Sequence, residues 1–172
     1  PIVGPNALCS GTSSELSSTT AGGTWTSNSP GIISIGASTG AITTGATLGY
    51  ATITYAVTST CRAFYTVSNN QTPATFTGAS SVCTGSSTTL GTAPSGGVWS
   101  VTSPLVATVS SAGVVTGGVS AGTTVVSYVM PATGCYRTGT MNVVTTPGAI
   151  TGSTMVCSGT TTTLGNSLPG GT

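Results

Sequence analysis

The chain has 172 residues, of which 2% are charged: Glu15 is the one acid, Arg62 and Arg137 are the two bases, and Asp, Lys and His are absent. That inventory excludes most catalysis, because acid–base chemistry draws chiefly on those side chains, a Ser or Cys nucleophile needs an activating base, and metal sites need several carboxylates, imidazoles or thiolates. The polarity falls instead to 38 Thr and 25 Ser, and a net charge of +1 supplies no basic stripe for phosphates, so neither an enzyme nor a nucleic-acid binder is expected, and no cofactor.

In chain order, no basic n-region or signal-type apolar core opens the sequence, so Pro1 reads as an internal or mature start. Cys9 precedes a second strand carrying Glu15, and Trp25 falls in a third strand, where a large aromatic fills the space between two sheets. Residues 51–57 alternate strictly, which puts Ile53, Tyr55 and Val57 on a buried face and Thr52, Thr54 and Ala56 on the other. Cys61 opens the last strand. From Pro73 the order recurs, with strands expected at 74–77 with 81–84, then 87–91, 97–101, 106–110, 113–117, 123–130 and 137–145. In that second set Val126, Tyr128 and Met130 point inward, while Val125, Ser127 and Val129 form an unusually apolar outer face. Thr, Val and Ile are frequent throughout and Gly, Pro and Ser punctuate the chain every eight to twelve residues, a β code without helix signals.

The recurrence is a repeat of 74 residues: Cys9, Cys83 and Cys157 keep this step, as do Cys61 and Cys135, Trp25 and Trp99, and the pairs Gly22-Gly23, Gly96-Gly97 and Gly170-Gly171. The repeats run over 1–72 and 73–146, with the opening of a third at 147–172. Each complete repeat offers about seven short strands, which reads as an all-β sandwich with Trp25, Trp99, Tyr55 and Tyr128 in the cores. A 26-residue opening cannot bury a core alone. It belongs to a longer array, or it adds strands to the sheet edge of a neighbouring copy. A mean hydropathy of +0.38 reflects missing charge, since no stretch reaches the roughly 18 to 20 apolar residues of a spanning helix. Nine scattered Phe, Trp and Tyr make no interfacial girdle. No membrane insertion is expected.

The stretches at 99–110, 113–117 and 121–125 (WSVTSPLVATVS, GVVTG, AGTTV) resemble the group 2 bacterial Ig-like domain family. The first repeat is similar through Trp25, Ser29-Pro30, 40–43 and 51–54. CTGSSTTL at 83–90, echoed at 157–164, looks like long secreted repeat proteins of Bacteroidetes-type bacteria. The resemblance implies tandem extracellular Ig-like sandwiches used as a spacer, adhesin stalk or fibre, and it carries no catalytic residues.

The simplest pairing of the cysteines is one disulfide within each repeat, Cys9 to Cys61 and Cys83 to Cys135, tying the first strand region to the last. It would add about 4 kcal/mol on the chain-entropy model and place the chain outside a reducing cytosol. The rival reading has Cys61 or Cys135 bridging to an adjacent repeat or subunit. Cys157 has its partner outside the given chain or in another copy. Arg62 and Arg137 are expected to cap carbonyls or pack, Glu15 to be solvated, and Asn70-Gln71-Thr72 matches the N-glycosylation pattern.

Almost no charge guards the sheet edges or opposes close approach of copies. The expected function is therefore structural: a secreted or cell-surface filament or stalk that self-associates, with Val125 and Val129 as the assembly interface. A surface adhesin or carbohydrate-binding module touching glycans is the alternative. Its aromatic candidates, Tyr50, Phe64, Tyr65 and Tyr136, do not align between repeats.

Overall fold

The computed structural model describes residues 1–168, so Gly170-Gly171 lies outside the described residues. The first repeat contains β1 (Ile2–Val3), β2 (Ala7–Cys9), β3 (Ser13–Glu15), β4 (Ser17–Ser18), β5 (Thr24–Ser27), β6 (Ile33–Ile35), β7 (Ala41–Thr44), β8 (Gly49–Ala56) and β9 (Arg62–Asn70). The second contains β10 (Ser81–Cys83), β11 (Ser87–Thr89), β12 (Val98–Val101), β13 (Ala107–Val109), β14 (Val114–Gly117), β15 (Gly122–Val129) and β16 (Tyr136–Val144). Residues 74–77 do not form the strand expected of them. Thr77 makes a single bridge to Gly91, and Gly78, with φ +103°, turns the chain away.

Each repeat builds a four-stranded and a three-stranded sheet, in the orders β2-β9-β8-β5 with β3-β7-β6, and β10-β16-β15-β12 with β11-β14-β13. The first repeat adds a short β1-β4 ladder. This division of seven strands is an Ig-like sandwich in which the first strand lies beside the last rather than beside the second. The pairing of first strand to last is parallel in both repeats: Ala7, Leu8 and Cys9 face Ser68, Asn69 and Asn70, and Ser81, Val82 and Cys83 face Asn142, Val143 and Val144. The long hairpin β8–β9 is antiparallel, with Ile53 opposite Tyr65 and Tyr55 opposite Ala63.

Two compact units divide the chain. One takes in Pro1–Thr77, Gly91–Ser100 and Ser127–Gly139; the other takes in Gly78–Leu90, Val101–Val126 and Thr140–Thr172. In the first, Leu8, Leu16, Trp25, Ile33, Ile42, Ala51, Ile53, Tyr55 and Val67 form a buried cluster. In the second, Val82, Leu90, Ala107, Val115, Val126, Met141 and Val143 are buried. The alternation read from residues 51–56 holds as far as β8 extends. Val57 is exposed because β8 ends at Ala56 and the chain turns there.

Trp25 packs against Tyr55 with ring centroids 4.5 Å apart, and Trp99 against Tyr128 at 4.6 Å. Such pairs add about 0.5–1.5 kcal/mol beyond their area. Trp25, Tyr55 and Tyr128 are buried, whereas Trp99 is half-buried, so it is not the core centre the sequence suggests. The loop after β6 supplies Ala37, whose carbonyl accepts from the Trp25 backbone N–H at 2.9 Å. The corresponding loop after β13 is one residue shorter, and Trp99 is flanked instead by Phe76, with centroids 4.9 Å apart.

Each tyrosine also closes a turn. Tyr55 Oη donates to the Thr20 carbonyl at 2.7 Å and accepts from the Gly23 N–H at 2.9 Å; Tyr128 Oη donates to Pro94 O at 3.1 Å and accepts from Gly97 N–H at 2.7 Å. This explains the recurring glycine pairs. Gly22 and Gly96 adopt φ +80° and +95°, and a Cβ on Gly23 or Gly97 would run into the tyrosine ring. Gly23→Ala should therefore cost about 1–3 kcal/mol through overpacking. Gly31→Ala, whose Cβ would meet nothing nearer than 4.0 Å, should leave stability nearly unchanged. Urea unfolding of the two variants checks this, and equal midpoints would contradict it.

Candidate functional site

The cysteines occupy two recurring backbone settings. Cys9, Cys83 and Cys157 each open the same turn: the N–H of Thr12, Ser86 and Thr160 donates to their respective carbonyls at 3.0 Å. The glycine two residues on has φ +86°, +77° and +82°, a left-handed conformation that glycine adopts without steric cost. Cys61 and Cys135 occupy the second setting, the turn before the last strand. Their carbonyls accept from Val57 N–H at 3.0 Å and Met130 N–H at 2.8 Å. Their own N–H groups donate to Thr58 Oγ1 at 3.0 Å and Thr133 Oγ1 at 3.3 Å.

Cys9 is bonded to Cys135, with S–S 2.03 Å and Cα–Cα 5.5 Å across 126 residues of sequence, while Cys61, Cys83 and Cys157 are free. The pairing within each repeat is thus corrected. Parallel pairing sets Cys9 opposite Asn70, the last residue of β9, while Cys61 precedes Arg62, the first. Nine residues at about 3.3 Å each separate them by roughly 30 Å, against the 4.4–6.8 Å or so between Cα atoms that a disulfide spans. Cys83, opposite Val144, stands in the same relation along β16, which begins just after Cys135. The bond instead joins the first-setting cysteine of one repeat to the second-setting cysteine of the next.

The surroundings of this bond are well tied. Thr72 Oγ1 donates to the Ser10 carbonyl at 2.8 Å, so the chain leaves the first repeat beside Cys9, and Thr146 Oγ1 makes the same 2.8 Å bond to Thr84 O beside Cys83. Arg137 Nε donates to the Pro73 carbonyl at 2.9 Å, and the Arg62 guanidinium donates to Ser59 O, which is the carbonyl-capping part read for the arginines. Glu15 is exposed. Asn69, buried beside the staple, donates to Gly45 O at 3.0 Å and Thr47 O at 2.8 Å and accepts from Ser10 Oγ at 3.0 Å. Sequence reading passed over Asn69. Its only signal is a polar residue on the inward side of an otherwise alternating strand. Asn70 Nδ2 donates to Leu8 O at 3.1 Å and Ser68 Oγ at 2.9 Å, which occupies the nitrogen that glycosylation would use.

The counterpart cysteine Cys61 is exposed and lies in an open depression lined with Pro1, Ser18, Thr20, Tyr55 and Val57, whereas Cys135 is fully buried. On the outer face of β15, Val125 is 38% exposed and Val129 is half-buried. In the third repeat, Gly152 (φ +130°) and the Thr151–Gly165 bridge reproduce Gly78 and the Thr77–Gly91 bridge. Val156 and Leu164, however, are exposed where their equivalents Leu8 and Val82, and Leu16 and Leu90, are buried.

Closing a loop of this length stabilises the chain by about 5 kcal/mol on the chain-entropy model. Cys9→Ser should therefore lower unfolding stability by several kcal/mol in urea titration. Non-reducing peptide mapping should recover Cys9 linked to Cys135, and a Cys9–Cys61 peptide would contradict the structure.

No protein-family model matches the chain, and no curated protein matches it. Solved structures do. The C-terminal 282-residue fragment of intimin, in complex with the intimin-binding domain of the translocated intimin receptor, is 19% identical with a TM-score of 0.48, over 70% of this chain and 50% of that one. Domains 4 and 5 of the S-layer protein SbsC are 19% identical, TM-score 0.30, over 72% and 71%. The insect immune protein hemolin is 14% identical, TM-score 0.33, over 85% and 46%. The chain thus spans about half the length of the intimin fragment.

Proposed function

We propose that this chain is part of an extracellular structural array, a filament or stalk of serial Ig-like sandwiches that associates with further copies of itself and performs no catalysis. The observation that carries this reading is the disulfide between Cys9 and Cys135, which fastens one repeat to the next. A covalent tie along the array serves a load-bearing element, and a disulfide suits an oxidising compartment outside the cytosol. The near-absence of charge agrees, since neither edge protection nor net repulsion opposes packing of many copies. The domains are the repeats 1–72 and 73–146 with the third opening at 147, and the closer family is group 2 of the bacterial Ig-like domains, on the motifs at 99–110 and 113–117.

Copies meet through the sandwich edges and the outer face at Val125 and Val129. The third repeat is covered by its own continuation or by a neighbouring copy, which buries Val156 and Leu164. An adhesin that binds glycans is the weaker reading. Tyr50, Phe64 and Tyr136 are exposed, but among the described residues no repeated aromatic cluster presents itself for a sugar ring.

Electron microscopy of the assembled protein tests the proposal, with regular filaments as the expected result. Val125→Lys with Val129→Lys should shorten or abolish them while the far-ultraviolet circular dichroism of the sandwich persists. Filaments of normal length in the double variant would remove that face from the interface, and only dispersed single chains under all conditions would overturn the structural role.

A further inference from the structure

We propose that the Cys9–Cys135 bond gives the array a load line that skips its folded cores: tension passes from β2 through the bond into β16 and does not cross the loop of sequence, 126 residues from one cysteine to the other, that the bond closes. This deepens the reading of the chain as part of a structural array and rests on it. Force along a polypeptide follows its covalent bonds by the shortest route. The disulfide supplies that route, with only 5.5 Å between the Cα atoms of Cys9 and Cys135.

The two elements on the line are strands, and strands have little length to give. A strand already rises about 3.3 Å per residue, against at most about 3.3–3.6 Å in a fully stretched chain, so β2, with three residues, and β16, with nine, barely lengthen under load. Each strand also fixes a core to the line. β2 contributes the buried Leu8, and β16 the buried Met141 and Val143. The remainder of both cores, from Leu16 and Trp25 in the first to Val115 and Val126 in the second, sits inside the closed loop and carries no tension.

Bonding from one repeat to the next is what takes the joint off the line. Bonds within each repeat, Cys9 to Cys61 and Cys83 to Cys135, would leave residues 61–83 under tension, β9 and the linker included. That linker is held by single hydrogen bonds: Arg137 Nε to Pro73 O at 2.9 Å, Thr92 Oγ1 to Ala74 O at 2.8 Å and Ala74 N–H to Ala93 O at 2.8 Å, together with the one bridge of Thr77 to Gly91. Phe76 adds its packing on Trp99. Single bonds of this kind give way one at a time when pulled. With 61–83 inside the closed loop they are not pulled, and the linker keeps its contacts under load.

The test pulls the full chain by its two ends in an optical trap, before and after reduction in place by dithiothreitol, which leaves two cysteine thiols and the reagent as its cyclic disulfide. The Cys9→Ser variant repeats the comparison without reagent. The oxidised chain should give no lengthening step beyond about 130 Å, the most that residues 136–172 supply at about 3.3–3.6 Å each. Opening the bond should add roughly 410–450 Å, released as the two sandwiches unfold. Gly23→Ala, which weakens the first core, should leave the oxidised record unchanged and lower the force of one step once the bond is open. A longer step from the oxidised chain, an oxidised record altered by Gly23→Ala, or equal lengthening with the bond open and closed overturns the load line. Electron microscopy of the same protein scores the array separately. Filaments alongside any of those results leave the structural array standing, whereas a load line that behaves as expected in a chain that never forms filaments overturns the array alone.

Discussion

Because β2 pairs with the closing end of β9, and β10 with that of β16, the two cysteines of a repeat leave their sheet at opposite ends, and no disulfide can close within the repeat. A first strand paired with the opening end of β9 would set Cys9 near Cys61 and give a chain of independently pinned domains. Placement at the closing end turns the same two cysteines into connectors, one facing the following repeat and one the preceding repeat. Two complete repeats contain one such junction, and one bond is present, between Cys9 and Cys135. The end of the last strand against which a three-residue strand pairs thus decides whether the covalent bonds stabilise single domains or the array.

The junction is supported mainly by uncharged groups. Thr72 holds the exit of the first repeat to Ser10, and Asn69 satisfies two carbonyls and a serine in a buried setting. Tyr128 ties Gly97 to Pro94 near Trp99. Arg137 contributes as a donor to the Pro73 carbonyl. Among the described residues no buried side-chain nitrogen or oxygen lacks a hydrogen-bond partner, which matters because an unsatisfied buried polar group costs about 1–3 kcal/mol. Hydroxyls and amides do the work that ion pairs do in ordinary surfaces, and they do it without setting up charge repulsion between copies.

The sandwich was legible because it rests on local signals. Alternation at 51–56, the Trp25 and Trp99 positions and the turn glycines mark seven strands per repeat, and Gly22-Gly23 with Gly96-Gly97 mark where a tyrosine closes a turn. The position at which one strand pairs along another is not a local property. Residues 7–9 read the same whether they pair with 68–70 or with the opening of β9, so the spacing of Cys9 and Cys61 pointed to a bond that the register forbids. The half-buried state of Trp99 depends on loop length and on Phe76, a residue that no periodicity singles out. Exposure of Val57 follows from the end of a strand, which alternation alone places too late.

The separation between Cys9 and Cys61 is the most direct measure of this account. In a chain carrying Cys83→Ser, Cys135→Ser and Cys157→Ser, spin labels on the two remaining cysteines should report a distance of roughly 30 Å by double electron–electron resonance, the length of a nine-residue strand. A distance below about 10 Å would mean that the first strand pairs with the opening end of the last and that the repeats are pinned singly rather than stapled in series.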